Sequence, residues 1–213
     1  TPGAAGRGSP SARGVAGAAP ALRDAPGRQL QFDWKEDMRL ADANGEVFEF
    51  NVWNGTLGYS RRHRFIPTLT RTADDLMACL LDAFVTFGGI PDQGLTDNMS
   101  ALVAFSGGRR RKVGRVWRFA EEAGFEIVLC RPGSPQTKGK DESANRFLSR
   151  LAAYEGEFTG WEGLVECVAR IELRSNEEPS EATGLPPNAC SCGRRRPCAR
   201  SATSGCCSPW SGT

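Results

Sequence analysis

"GLTDN", residues 94–98, closes an apolar stretch on an Asp-Asn pair, and "QFDW", residues 31–34, sets another aspartate among apolar neighbours. In "QLQFDW" the residues Leu30, Phe32 and Trp34 alternate with Gln31 and Asp33, the period of two that marks a strand. A carboxylate at a strand end is costly to bury unless something offsets its charge. Two readings of Asp33 and Asp97 are open. Each caps a turn after its strand, or both serve a shared metal ion, which requires a third carboxylate and a fold that gathers all three.

The pattern outward from these stretches supplies a fold. "GEVFEFNVWNGTLGYSRRHRFIPTL", residues 45–69, reads as two more strands, with Asn54-Gly55 as a tight hairpin signal. "TADDLMACLLDAFVTFGG", residues 72–89, is a helix opened by a capping box of Thr72 and Asp75. Its buried stripe is Leu76, Leu80, Ala83, Phe84 and Phe87; Gly88 and Gly89 end it, and Pro91 prevents its resumption. A short fourth strand runs from Gly94 to Asp97, "VWRFAEEAG" (116–124) is a helix closed by Gly124, and "FEIVLC" (125–130) is a fifth strand. After the loop "RPGSPQTKGK" a helix spans Asp141 to Tyr154, with Ala144, Phe147, Leu148, Leu151 and Tyr154 on its apolar face and Glu142 turned away from it. "GWEGLVECVARIELRSN" (160–176) is the last amphipathic helix.

A strand meander followed by alternating helices and strands predicts an α/β layer fold with a mixed five-stranded sheet flanked by helices. That element order resembles ribonuclease H-like domains. In such a sheet the first and fourth strands lie side by side, and a helix opening after a glycine-containing basic loop can reach their ends.

Composition narrows the rest. The chain has 213 residues and a net charge of +2, and a mean hydropathy of -0.40 with no apolar run near the roughly 18 residues of a membrane span predicts a soluble protein without membrane contact. Eight cysteines are unevenly spread: Cys79, Cys130 and Cys167 sit in apolar patterns and read as reduced core residues. The other five fall after residue 189 without a C-x-x-C pair, and the only histidine, His63, is distant, so neither a zinc site nor a disulfide framework is expected.

Three regions follow. Residues 1–27, rich in Ala, Gly, Pro and Arg, lack the large apolar side chains that offset chain entropy and are expected to be disordered. Residues 28–189 form the folded core. Residues 190–213, rich in Cys, Arg and Ser and without apolar periodicity, are expected to be an aberrant tail, either frame-changed or a basic segment.

Glu142 is the candidate third carboxylate. Asp33 and Asp97 are 64 positions apart and Asp97 and Glu142 are 45 apart, spacings that decide nothing by themselves. A set of oxygen ligands suits Mg²⁺ or Mn²⁺, and two such ions roughly 4 Å apart serve phosphodiester chemistry. The basic run "GRRRKVGRVWR" (108–118), with Arg109, Arg110, Arg111 and Lys112, reads either as a grip on a phosphate backbone or as a solvated loop. Lys138 and Lys140 are nearer the proposed site and are further candidates for DNA contact.

"GRQLQFDW", "FGGIPDQGLTDNM" and "CRPGSPQTKGKDESANRFL" together resemble the motifs of DDE transposases with an integrase catalytic core, in particular the IstA-like insertion-sequence class. The resemblance runs from about Arg28 to Ala189, ending in "SEATGLPPNA". It implies a DNA transposase whose catalytic and metal-binding residues are Asp33, Asp97 and Glu142, with Asn98 and Gln136 lining the site. Asp141 occupies a position usually apolar in the family, and Glu142 keeps the better register. Also implied are two Mg²⁺ or Mn²⁺ ions, transposon-end and target DNA as substrates, a homo-oligomer on DNA, an AAA+ ATPase helper and a bacterial cytoplasmic location. The alternative is a truncated remnant that folds without catalysing.

Overall fold

The computed structural model describes residues 25–97, 99–106, 109–130, 143–181 and 183–189, with the backbone alone for 104–106 and 109–111. Seven strands and four α-helical segments occur among them. In chain order they are β1 (Gln29–Ala41), β2 (Val47–Leu57), β3 (His63–Thr68), α1 (Ala73–Phe87), β4 (Gln93–Thr96), β5 (Val103–Ser106), β6 (Arg109–Lys112), α2 (Gly114–Ala123), β7 (Glu126–Leu129), α3 (143–149) and α4 (Gly160–Glu177). The main sheet has the order β3-β2-β1-β4-β7, antiparallel from β3 to β1 and parallel from β1 to β7. This is the expected mixed five-stranded sheet.

Each face of the sheet has its own core. Leu30, Phe32 and Trp34 of β1 pack with Leu76, Leu80, Ala83 and Phe84 of α1 and with Val116 and Ala120 of α2. On the other face Phe50, Val52 and Phe65 pack with Ala144, Phe147 and Leu148 of α3 and with Leu164, Val168 and Ile171 of α4. Helix α1 behaves as its sequence predicts, with the Thr72–Asp75 capping box closed at one end and Gly88 in the left-handed conformation at the other. Cys79 and Cys167 are buried, whereas Cys130 is half-buried.

Three expectations need correction. Asn54-Gly55 is not a turn: β2 runs through it, and the chain reverses at Gly58–Arg62, where Leu57 N–H reaches the Arg62 carbonyl and Arg61 takes a positive φ of 61°. Glycine is required at 55 by packing, because a Cβ there would run into the Trp53 indole. For the basic run, which reads either as a phosphate grip or as a loop, the loop does not hold over residues 109–112. Residues 109–112 are strand β6, paired antiparallel with β5 in a separate two-stranded sheet whose base is closed by Val113 N–H on the Leu102 carbonyl. Finally, the helix expected to reach Tyr154 is α-helical only through residue 149 and then tightens to a 3₁₀ turn over Arg150–Tyr154. Asp141, Glu142 and the regions 1–24 and 190–213 lie outside the described residues.

Candidate active site

Alternation along β1 puts Asp33 on the sheet face opposite Leu30, Phe32 and Trp34. That face is the one covered by α3 and α4, since Lys35, two residues on, is paired with Val52 of the second core. Asp33 is half-buried. Its Oδ1 accepts a 2.8 Å hydrogen bond from the Trp34 N–H, and its carbonyl accepts one of 3.0 Å from Asn54 Nδ2.

Asp97 follows β4 directly. The parallel β1–β4 ladder pairs Gln29 with Gln93, Leu30 with Gly94 and Gln31 with Leu95, a constant offset of 64. Asp33 and Asp97 differ by the same 64 positions, each lying two residues beyond the last ladder pair, Gln31 with Leu95, and Asp97 follows the end of β4. Gly94 makes this pairing possible: a methyl there would collide with the Phe125 and Phe32 rings. Although Asp97 keeps an exposed surface, partial burial of its carboxyl raises its pKa, and the negative charge of Glu36 raises it further. A hydrogen bond from the Met99 amide offsets only part of this. Glu36 lies where β1 shifts register between Lys35 and Met38, and it is ion-paired with Arg71.

Helix α3 is pinned over β1 near the aspartates. Lys35 Nζ donates to the Asn145 carbonyl at 3.3 Å, and burial pulls the Lys35 pKa below its usual range. Ser143, the residue after Glu142, opens the described part of α3. Glu142, Asn98, Gln136, Lys138 and Lys140 lie outside the described residues. Among the described residues no three His, Cys, Asp or Glu side chains stand close enough to hold a metal ion.

Of the basic run, Arg109, Arg110 and Arg111 are placed in β6 by backbone, and exposed Lys112 sets its ammonium 3.7 Å from the centre of the Trp117 ring. The β5–β6 hairpin begins six residues after Asp97, at the strand end that carries it. Two residues near the site carry no signal in the sequence reading. Nothing in the pattern around Lys35 sets it apart from a surface lysine, and Asn54 sits in an Asn-Gly pair whose local signal is a turn. His63 is buried and structural: its main chain exchanges hydrogen bonds with the Asn176 amide, and Thr56 Oγ1 contacts its Nδ1 at 2.9 Å.

No family model matches the chain. Curated relatives do. It is 35% identical over 168 residues to the transposase for insertion sequence element IS232 of Bacillus thuringiensis subsp. berliner, covering 76% of this chain and 38% of that protein. The putative transposase for insertion sequence element IS5376 of Geobacillus stearothermophilus is 34% identical over 167 residues, 76% of this chain and 41% of that one. The transposase for insertion sequence element IS21 of Pseudomonas aeruginosa is 32% identical, with 58% and 31% covered. The chain is similar in sequence to insertion-sequence transposases. It spans about two fifths of the length of the first two.

Solved structures that share the fold include integrase catalytic cores. A simian T-cell lymphotropic virus intasome in complex with the PP2A regulatory subunit B56 gamma gives a TM-score of 0.60 at 15% identity, over 85% of this chain and 61% of the matched one. The catalytic core domain of BIV integrase gives 0.54 at 18% identity, over 76% of this chain and 91% of the other. The HTLV-2 integrase catalytic core domain in complex with magnesium gives 0.53 at 13% identity, over 72% and 88%. The sheet order and flanking helices are therefore those of the ribonuclease H-like class. Among the described residues no helix is long and apolar enough to cross a membrane.

Proposed function

We propose that this chain is the catalytic core of an insertion-sequence transposase, cleaving DNA at the element's ends and joining the freed 3′-hydroxyl to target DNA. The observation that supports the reading is the parallel β1–β4 ladder, whose offset of 64 is also the separation of Asp33 and Asp97, each two residues past its last pair. The donor chemistry fits a hard divalent cation: both groups offer carboxylate oxygens, and Asp97 is a carboxylate whose burial and acidic neighbour a cation would compensate. Asp33, Asp97 and Glu142 would hold the ions, Mg²⁺ or Mn²⁺. Bound there, two ions would activate the attacking oxygen and stabilise the leaving one.

The remaining work falls to the chain itself. Lys35 anchors the helix that follows Glu142 against the strand that carries Asp33. Hairpin β5–β6, leaving the sheet beside Asp97, gives Arg109, Arg110, Arg111 and Lys112 a position from which to hold phosphates. Lys138 and Lys140 would add contacts from the loop before α3, and Asn98 and Gln136 would line the site. An oligomer on DNA and an AAA+ helper ATPase complete the proposal. Two aspartates just past the ends of a parallel ladder with their own offset, together with relatives named as transposases, favour this reading over an inactive remnant.

The test supplies the chain with DNA carrying element ends and follows strand cleavage and joining with Mg²⁺ or Mn²⁺. Activity should depend on the metal and disappear in Asp33→Asn and in Asp97→Asn. Cleavage that survives either substitution would refute the assignment.

A further inference from the structure

Asn54 is an unexpected residue at its position. It lies in the middle of the central antiparallel pair, 6% exposed, where a strand between two cores ordinarily takes an apolar side chain. A buried amide is costly unless it is hydrogen-bonded, and the partner of its Nδ2 is the carbonyl of Asp33, 3.0 Å away. Asp33 is also its cross-strand partner, so both side chains project from the same sheet face.

The bond acts on a single peptide unit. The carbonyl of Asp33 and the N–H of Trp34 belong to one rigid plane. Asn54 holds the oxygen of that plane, and the N–H at its other end donates to Asp33 Oδ1 at 2.8 Å. Turning the plane would therefore carry the carboxylate with it. We propose that Asn54 is a positioning residue for Asp33: by clamping the Asp33–Trp34 peptide through the carbonyl, it sets the direction in which the Asp33 carboxylate meets a divalent cation. The inference rests on the reading of Asp33 as a cation ligand.

The probe is Mn²⁺ alone, titrated into the 213-residue chain and followed by the loss of the free-ion electron paramagnetic resonance signal. Asp33→Asn sets the background from other sites. Asn54→Leu and Asn54→Ser both remove a donor that reaches the Asp33 carbonyl, one filling the space and one leaving it, so that a folding failure in one leaves the other to decide. Each folded variant should bind Mn²⁺ roughly tenfold more weakly, the lower end for losing an outer partner of a ligand. Asn176→Ala, which loosens α4 from β3 at His63, is the structural control and should lose thermal stability while keeping its Mn²⁺ affinity. Binding within about twofold of wild type in either folded Asn54 variant would overturn the proposal, as would an equal loss of affinity in Asn176→Ala. A wild-type chain whose Mn²⁺ binding equals that of Asp33→Asn would instead overturn the cation reading of Asp33, and this inference with it.

Discussion

Acidification offers a clean perturbation of this core, because His63 is the only histidine in the chain. Burial, and secondarily the positive charge of Arg61, pull its pKa from 6.5 down to about 4. The unfolded chain therefore takes up the proton first. The contribution of neutral His63 to stability is fully present above pH 6.5, erodes as pH falls from 6.5 towards about 4, and levels off below that. At 1.36 kcal/mol per pKa unit the full loss is about 3 kcal/mol, of which about 2 kcal/mol falls between pH 7.5 and pH 5. Many carboxylates titrate over the same range, so the measurement is a difference. Wild type and His63→Gln are unfolded in urea at both pH values, with the fluorescence of buried Trp34 and Trp53 as signal. The variant should be less stable at pH 7.5, since Thr56 and the rings of Phe65 and Phe147 are fitted to the imidazole. Its deficit should shrink by about 2 kcal/mol at pH 5. A deficit that stays constant, or a single imidazole proton resonance that titrates near 6.5 in the folded protein, would refute the reasoning.

Asp97→Asn keeps the side chain's size and removes its charge. An acid whose pKa is raised on folding opposes the fold when ionised, so at pH 7 the metal-free variant should melt higher than wild type while metal-dependent DNA cleavage is lost. A lower melting point with cleavage intact would return Asp97 to the role of a turn cap, worth about 1 kcal/mol. Gly94→Ala forces a methyl into the Phe125 and Phe32 rings and should cost about 1–3 kcal/mol in urea unfolding; an unchanged midpoint would mean that β4 packs differently. Asn176→Ala strands the buried N–H and carbonyl of His63 and should cost about 1–3 kcal/mol, with no loss meaning that water replaces both bonds.

The sequence by itself determined the elements whose periodicity is local. Alternation in "QLQFDW", the Thr72–Asp75 box, the stripe from Leu76 to Phe87 and the glycine after α2 each express a period or a cap contained within a few residues. The order of those elements was enough to imply the sheet, because a meander followed by crossover units has few ways to pack. Asp33 and Asp97 were legible as candidates because a carboxylate at a strand end calls for an explanation.

Tertiary structure decided what local patterns leave ambiguous. Asn54-Gly55 carries the strongest short hairpin signal available, yet its glycine yields to the Trp53 indole and its asparagine to the Asp33 carbonyl, partners supplied by packing and by another strand. Four consecutive basic residues have no apolar alternation, so only pairing with Val103–Ser106 makes β6 a strand. The separation of 64 between Asp33 and Asp97 was visible as a number and carried no meaning until the β1–β4 ladder showed the same offset. Register is a relation between two strands, fixed by what both bury, and a one-dimensional pattern does not contain it.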